Sequence, residues 1–183
     1  PGGKTTHLVE LMQGQGIVWA CDRTASRLRR LQQNLKRLDI AAAAVNIWEG
    51  DGRELSSDIP LADYILLDAP CSGLGTLHRH ADARWRQTPE SVKELALLQA
   101  QLLNAAAQHL KPNGAIVYST CTLHPQENEA VIQQFLATHP QWMLEPPNSE
   151  FAVFQSPEGW MKIWPHEQAM DGFFMARLPS QSG

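Results

Sequence analysis

The sequence predicts an α/β protein built on a doubly wound, mostly parallel sheet, with an antiparallel pair of strands near its C-terminal end. Short apolar runs alternate with longer segments in which apolar residues recur at helical spacing. This alternation is typical of parallel sheets that carry helices on both faces. The runs expected as strands are 17–21, 42–48, 64–67 and 115–119 in the parallel part, then 160–164 and 173–177 in the antiparallel pair.

Local signals indicate where the helices begin and end. A glycine turn at Gly2 leads into the first helix, and Thr24 or Ser26 can cap the second, which carries leucines at helical spacing. Pro89 opens the third helix, since proline is favoured in a first turn. A Lys-Pro-Asn-Gly turn is expected at 111–114. The helices are expected over 2–13, 24–38, 89–110 and 125–138.

Composition limits the class of protein. A chain of 183 residues that is 43% hydrophobic and 19% charged is typical of one soluble globular domain, here residues 1–183. No apolar run approaches the ~20 residues that a membrane-spanning helix needs. Three widely spaced cysteines, without a Cys-x-x-Cys or Cys/His cluster, favour neither a disulfide framework nor a metal site. They indicate free thiols in a reducing cytoplasm.

The distribution of charge is uneven. The formal net charge of −4 argues against a protein that holds nucleic acid by charge alone. Basic residues nevertheless cluster in two stretches, of which the first is typical of a solvated helix face. The second has little helical pattern, which favours contacts to phosphate. The stretches comprise Arg23, Arg27, Arg29, Arg30, Lys36 and Arg37, and then His78, Arg79, His80, Arg84 and Arg86.

Three features of the first third of the chain together favour an adenosine-containing cofactor. Gly2 and Gly3 before a helix let the backbone approach a ligand closely. Asp22, at the end of the next strand, is placed to accept hydrogen bonds from ribose hydroxyls, although it could instead cap the following helix. Asp51 is a candidate for the adenine end or for a turn. The run into Lys4 also has the character of a phosphate-binding loop, so a nucleoside-triphosphate hydrolase stays an alternative.

Two cysteines follow apolar strands directly. Cys71 comes after the strand that ends at Asp68, and Cys121 comes after the strand that ends at Ser119, so both thiols are expected at one edge of the sheet. Such a thiol, once ionised, can attack an electrophilic ring carbon. Cys121 precedes the helix expected from residue 125, whose dipole would favour ionisation. Cys21 lies inside its strand and is interpreted as a small buried hydrophobe.

Several motifs, spread almost from end to end, carry a resemblance to one family. The chain resembles the RNA 5-methylcytosine methyltransferases of the Nop2/Sun (Fmu) family, and the paired Pro-Cys and Thr-Cys motifs are highly specific to it. The matching stretches are Pro1-Gly2-Gly3-Lys4-Thr5, Asp68-Ala69-Pro70-Cys71-Ser72-Gly73-Leu74-Gly75, Arg79-His80 through Trp85, Ser119-Thr120-Cys121 with Pro125-x-Glu127-Asn128, and Asp171-Gly172-Phe173-Phe174.

The resemblance implies a class I methyltransferase (Rossmann-like) fold, S-adenosylmethionine as cofactor, and RNA, above all ribosomal RNA, as partner. It implies that Cys121 is the nucleophile and that Cys71 assists product release, an assignment that spacing alone cannot make. Asp68 would contact the target base and also count among the cofactor residues. The other cofactor residues that it implies are Gly2, Gly3 and Lys4 on the methionine side, Asp22 with Arg27 at the ribose, and Asp51 on the adenine side.

The chain also departs from the family pattern. The strand and the Ala-Ala lead-in before the cofactor loop are missing, as is an N-terminal RNA-binding region, so we expect an N-terminally truncated catalytic domain that binds cofactor and RNA weakly. No obligate protein partner is evident. Besides the hydrolase, the alternatives are a methyltransferase of the same fold acting on transfer RNA or DNA, and a non-catalytic binding module.

Overall fold

The computed structural model describes residues 2–79, 85 and 87–181. The chain divides into two compact units, Pro1–Ile59 and Pro60–Gly183, which are the first and second unit below. No helix in the described part of the chain is long and apolar enough to cross a membrane.

The first unit is a small α/β layer. It contains α1 (Gly3–Leu11), β1 (Val18–Asp22), α2 (Ala25–Arg37), a 3-10 turn (Ala42–Ala44) and β2 (Val45–Glu49). β1 and β2 pair in parallel from Val18 opposite Val45 to Asp22 opposite Glu49, so both strands end at one edge. Its core consists of Ala20, Leu28, Leu31 and Val45, of which Leu28 and Leu31 follow the helical spacing of the α2 leucines.

The second unit begins with two long parallel strands joined by a helix. They are β3 (Ala62–Asp68), α3 (Pro89–Gln108) and β4 (Leu110–Thr120), with a 3-10 turn over Leu74–Thr76 before the helix. α3 begins with Pro89 in its first turn and a reciprocal hydrogen-bond pair between Thr88 and Ser91, which satisfies backbone donors that a helix start leaves unpaired.

The rest of the second unit completes the sheet in the antiparallel sense. A 3-10 turn (Pro125–Glu127) leads into α4 (Glu129–Thr138), and after a 3-10 turn (Ser149–Phe154) come β5 (Met161–Ile163), α5 (Pro165–Gln168) and β6 (Phe173–Pro179). The strand order is β3-β4-β6-β5, with β6 antiparallel to both of its neighbours. The predicted C-terminal antiparallel pair is therefore confirmed. The largest side chains without exposed surface are Tyr118, Phe174, Leu103, Ile116 and Ile132.

Several local predictions were wrong. The strand expected over 42–48 begins only at Val45, because Ala42–Ala44 forms a 3-10 turn. The turn expected at 111–114 lies inside β4, where pairing with β3 jumps from Leu110 opposite Ala62 to Ala115 opposite Tyr64. The intervening residues form an irregularity in the strand, with Asn113 at φ 63°. The helix expected from residue 125 starts at Glu129, because the preceding residues adopt a 3-10 turn.

Cys21 provides a further correction, since the residue is exposed and not buried. Side chains alternate across a strand, and in β1 the preceding Ala20 is the one that packs into the core. A wholly apolar run does not reveal which of its two faces is covered.

Candidate active site

The ends of β3 and β4 bring two thiols into contact. Asp68, the last residue of β3, pairs with Ser119 of β4, and the two strands run in parallel. The chain continues to Cys71 from one strand and to Cys121 from the other, and their Sγ atoms lie 3.3 Å apart. Both side chains are half-buried. The prediction that the two thiols meet at one edge of the sheet is confirmed.

The contact between the thiols changes the acidity of Cys71. The pKa of Cys71 is raised well above the ordinary thiol range, chiefly by its hydrogen bond with Cys121 and next by burial. Two ionisable groups this close lose their protons in two separate steps, because the first thiolate disfavours the second. The pair can therefore hold one thiolate beside one thiol, which is the state that a nucleophile with a neighbouring proton donor needs.

Asp68 stands at the same edge of the sheet. Its carboxylate is exposed, and Ser119 Oγ donates to Asp68 Oδ1 over 3.5 Å, which is long for a bond between oxygens. An exposed acceptor at the carboxyl end of a parallel strand lies where ligands bind in such sheets. The position suits a group that hydrogen-bonds a ligand, as the resemblance implies for Asp68.

A glycine contact supports the loop that carries Cys121. Gly75 N donates to the carbonyl oxygen of Cys121 over 2.9 Å, and Gly172 N donates to that of Gly75 over 2.8 Å. A Cβ atom at Gly75 would lie 2.3 Å from the Gly172 oxygen and 2.8 Å from the Cys121 oxygen. Only glycine therefore allows these three backbone segments to approach so closely.

The second basic stretch is partly neutralised. His78 Nε2 lies 3.2 Å from Asp171 Oδ1, and Arg79 forms an ion pair with the other oxygen of the same carboxylate. Both basic side chains remain more than half exposed, whereas Asp171 is mostly buried. His80, Arg84 and Arg86, predicted to contact phosphate with them, lie outside the described residues.

In the first unit, the predicted glycine turn has the conformation that requires glycine. Gly2 precedes α1 with φ 90°, in the left-handed region, and a Cβ atom there would lie 2.5 Å from Leu31 Cδ1. Gly3 and Lys4 are the first two residues of α1. The turn therefore presents the backbone N–H groups of a helix start, which favour anionic or electronegative ligand atoms.

Asp22 and Asp51, the two acids of the first unit predicted to bind the cofactor, lie at or just after the ends of adjacent parallel strands. Asp22 Oδ1 accepts from Thr24 N over 2.8 Å, a turn contact before α2 that does not cap the helix, since Thr24 is the residue at the N-cap. Asp22 Oδ2 lies 3.7 Å from Arg27 Nη1. Asp51 accepts hydrogen bonds from Arg53, which lower its pKa to about 2 and keep it ionised.

An adenosine group fits this donor and acceptor set. Ionised carboxylates accept hydrogen bonds only, and the hydroxyls of a ribose and the exocyclic amine of adenine are donors. Asp22 is the last residue of β1 and lies opposite Glu49, the last residue of β2, and Asp51 comes two residues after Glu49. Both carboxylates therefore belong to one edge of the sheet, where a single nucleoside can meet them.

A buried polar network around the thiols was not predicted. It contains Ser72, Gln99, Thr120, Thr122, Glu127 and Asn128, all with almost no exposed surface. One signal for it was available, because Gln99 interrupts the apolar face of α3 formed by Val92, Leu103 and Ala106. Ser72 Oγ and Thr122 Oγ1 lie 2.9 Å apart and join the two cysteine loops directly.

Comparison with solved structures shows the same fold in relatives. The structure described as "Crystal Structure of PH0851" matches with a TM-score of 0.90 and 40% identity over 97% of this chain and 40% of that one. NSun6 from Pyrococcus horikoshii, solved with SFG, an analogue of S-adenosylmethionine, matches with a TM-score of 0.81 and 31% identity over 100% of this chain and 46% of that one. The class I methyltransferase fold is thereby confirmed.

Comparison with characterised sequences identifies the family. A "Probable ribosomal RNA small subunit methyltransferase B" from Synechocystis is 47% identical over 97% of this chain and 41% of its own length. A ribosomal RNA small subunit methyltransferase F from Aeromonas salmonicida is 40% identical over 97% of this chain and 38% of its own. The chain thus spans about two fifths of the length of these relatives. The family described as 16S rRNA methyltransferase RsmB/F matches residues 1–179. The chain belongs to this family, and the predicted Nop2/Sun membership is confirmed.

Proposed function

We propose that the protein methylates carbon 5 of a cytosine in RNA, with 16S ribosomal RNA as the substrate, through a covalent adduct on Cys121. The observation that carries the proposal is the 3.3 Å contact between the thiols of Cys71 and Cys121 at the ends of adjacent strands. Membership of a family of 16S rRNA methyltransferases supports the substrate class. S-adenosylmethionine is the methyl donor of the proposed reaction.

The chemistry assigns each residue at the sheet edge a task. Carbon 5 of cytosine is a poor nucleophile, and the Cys121 thiolate adds to carbon 6 and makes carbon 5 enamine-like. Asp68 hydrogen-bonds the edge of the ring and stabilises the adduct. The base must leave its stack to reach the thiol. The bound cofactor supplies a methyl group to the activated carbon 5.

Release of the product reverses the addition. Solvent water takes the proton from carbon 5, and the electron pair of that C–H bond restores the double bond of the ring. The bond between carbon 6 and Cys121 Sγ breaks, and its electron pair returns to the sulfur. Cys71, whose raised pKa keeps its proton in place, lies close enough to donate a hydrogen bond to the departing thiolate. A protonated neighbour makes Cys121 a better leaving group.

The cofactor would be held by residues of the first unit. The helix start formed by Gly2, Gly3 and Lys4 faces the methionine part, Asp22 with Arg27 binds the ribose, and Asp51 binds the adenine side. The left-handed turn at Gly2 and the two acids at one sheet edge, of which Asp51 has a lowered pKa, support this assignment. For RNA, His78 and Arg79 are the described candidates, with the charge of Arg79 partly neutralised by Asp171.

Trapping with RNA that contains 5-fluorocytosine tests the proposal in the full-length protein. Fluorine cannot leave as a proton does, so the adduct persists and peptide mapping identifies the attached cysteine. We expect the adduct with 5-fluorocytosine RNA to map to Cys121 in the wild type and to be absent in Cys121→Ala. In Cys71→Ala, an adduct should accumulate even with ordinary cytosine RNA. The control variant Cys21→Ala should behave as the wild type. Full methylation by Cys121→Ala would refute the mechanism, and a preference for transfer RNA or DNA would refute the substrate.

A further inference from the structure

Glu127 holds the loop that carries Cys71. Its carboxylate has no exposed surface, and Glu127 Oε1 accepts from Ser72 N over 2.8 Å while Oε2 accepts from Ser72 Oγ over 2.5 Å. Gln99 Nε2 donates both to Glu127 Oε1 over 3.0 Å and to the carbonyl oxygen of Pro70 over 2.8 Å. The backbone is therefore fixed on both sides of Cys71, at the residue before it and at the residue after it.

Asn128 does the same for the other loop. Thr120 Oγ1 donates to Asn128 Oδ1 over 2.6 Å, and Asn128 Nδ2 donates to the carbonyl oxygen of Thr122 over 2.9 Å. Thr120 and Thr122 are the two neighbours of Cys121, and these two threonines and Asn128 are all fully buried. One side-chain amide thus uses its acceptor on one side of the cysteine and its donor on the other.

Glu127 and Asn128 are adjacent in sequence, and their segment is itself held by a hydrogen bond. Tyr118, fully buried in β4, donates from its hydroxyl to the carbonyl oxygen of Glu127 over 2.6 Å. A buried carboxylate or amide without partners is strongly disfavoured, so these side chains cannot move away without losing several hydrogen bonds at once. Any displacement of the segment at 127–128 must therefore displace both cysteine loops.

We propose that Glu127 and Asn128 are positioning residues, which hold the thiols of Cys71 and Cys121 in the relative position that the methyl transfer requires. Their hydrogen bonds go to the neighbours of the two cysteines, and they act on the reaction through those neighbours. The catalytic part of the inference rests on the proposed function. The geometric part does not, because the thiol separation can be measured without any substrate.

Oxidation by diamide measures that separation. The thiolate of one cysteine adds to the azo group, the second thiol displaces it, and the two sulfurs form a disulfide while diamide takes up two electrons and two protons. Sulfur atoms 3.3 Å apart need only a small approach to bond. The rate at which the disulfide-linked Cys71–Cys121 peptides appear in mass spectra therefore reports the relative position of the two thiols. The measurement uses a Cys21→Ser background, which removes the third free cysteine.

The test compares near-isosteric variants of the full-length protein. Glu127→Gln replaces one acceptor by a donor facing Ser72, and Asn128→Asp removes the donor to Thr122. We expect each to slow disulfide formation at least about tenfold and to lower kcat up to about a hundredfold, with the KM for RNA nearly unchanged, since small misplacements of reacting groups have effects of this size. Ile132→Ala, a fully buried apolar change in α4, is the matched control for lost stability and should leave the disulfide rate unchanged.

Each outcome decides the inference. Wild-type disulfide rates in Glu127→Gln and Asn128→Asp, or an equal loss of rate in Ile132→Ala, would overturn it. Slow disulfide formation with full methylation in the two variants would refute the catalytic part alone. An absence of methylation in the wild type would refute the proposed function, and the oxidation rates would still test the relative position of the thiols. If either variant fails to fold, Ser72→Ala removes only the hydroxyl contacts to Glu127 and Thr122, and an unchanged disulfide rate there would count against the proposal.

Discussion

Substitution of Gly75 by alanine tests how tightly the backbone behind Cys121 is packed. The added Cβ atom would meet the Gly172 oxygen at 2.3 Å and the Cys121 oxygen at 2.8 Å. Both contacts are with backbone atoms, which cannot rotate away as a flexible side chain can. Gly75 does not have a positive φ, so the cost is steric and does not come from its own conformation.

The loss in the free energy of unfolding can be worked out from the contacts that the added Cβ atom displaces. Overpacking a closely packed site costs about 1–3 kcal/mol. The hydrogen bonds from Gly75 N to Cys121 O and from Gly172 N to Gly75 O would be strained, each worth about 0.5–1.5 kcal/mol. The free energy of unfolding should therefore fall by roughly 2–6 kcal/mol. Because the Cys121 carbonyl shifts, adduct formation should slow about tenfold in protein that remains folded.

Gly73→Ala is the matched control, two residues away. Gly73 has φ 71°, but a Cβ atom there would have no neighbour closer than 3.8 Å. Its cost should be the left-handed conformation alone, about 1–2 kcal/mol. Urea denaturation followed by tryptophan fluorescence measures both variants. If Gly75→Ala proved no more destabilising than Gly73→Ala, the steric reasoning would be wrong.

Three further predictions concern single contacts. The side chain of Arg53 is the main cause that lowers the pKa of Asp51 to about 2, so the stability from this ion pair is present above the ordinary aspartate pKa and is lost as pH falls through about 2. In Arg53→Ala, NMR titration should find a higher Asp51 pKa that is still below the ordinary value, because the backbone N–H of residue 53 remains a donor, and an unchanged transition would contradict the cause. Cys121→Ala removes the main cause of the raised pKa of Cys71, so alkylation of Cys71 by iodoacetamide should begin at lower pH than in the wild type. The same pH profile in the variant and the wild type would refute this. Tyr118→Phe leaves a buried carbonyl without its hydroxyl donor and should cost about 1–3 kcal/mol in urea denaturation, whereas a neutral change would show that the donor is replaceable.

The positions of the candidate site residues follow from local sequence to a large degree. Apolar runs that end at Asp22, Asp68 and Ser119 become strands that end at or next to those residues, as apolar runs of strand length predict. The strand–helix alternation requires neighbouring parallel strands, and these bring Cys71 and Cys121 to one edge. The catalytic and cofactor roles of these residues stay predictions that the experiments above address.

Other features depend on contacts that local sequence does not contain. The turn signal at 111–114 is real as a preference for irregular backbone, but pairing with β3 on both sides keeps the segment within a strand. Cys21 belongs to an apolar run, and its exposure depends on which face of β1 the leucines of α2 cover. Neither outcome can be worked out from the neighbours of these residues in the chain.

Fold class, family and the two cysteine-bearing strand ends can be predicted from the chain alone, because periodicity and short motifs are local properties. Contacts between distant segments, which no local pattern contains, give the thiols a shared hydrogen bond, place Gly75 between two other backbone segments and bring Glu127 to Ser72, 55 positions away. A buried polar group must find partners wherever the folded chain supplies them, and those partners are set by packing between distant segments.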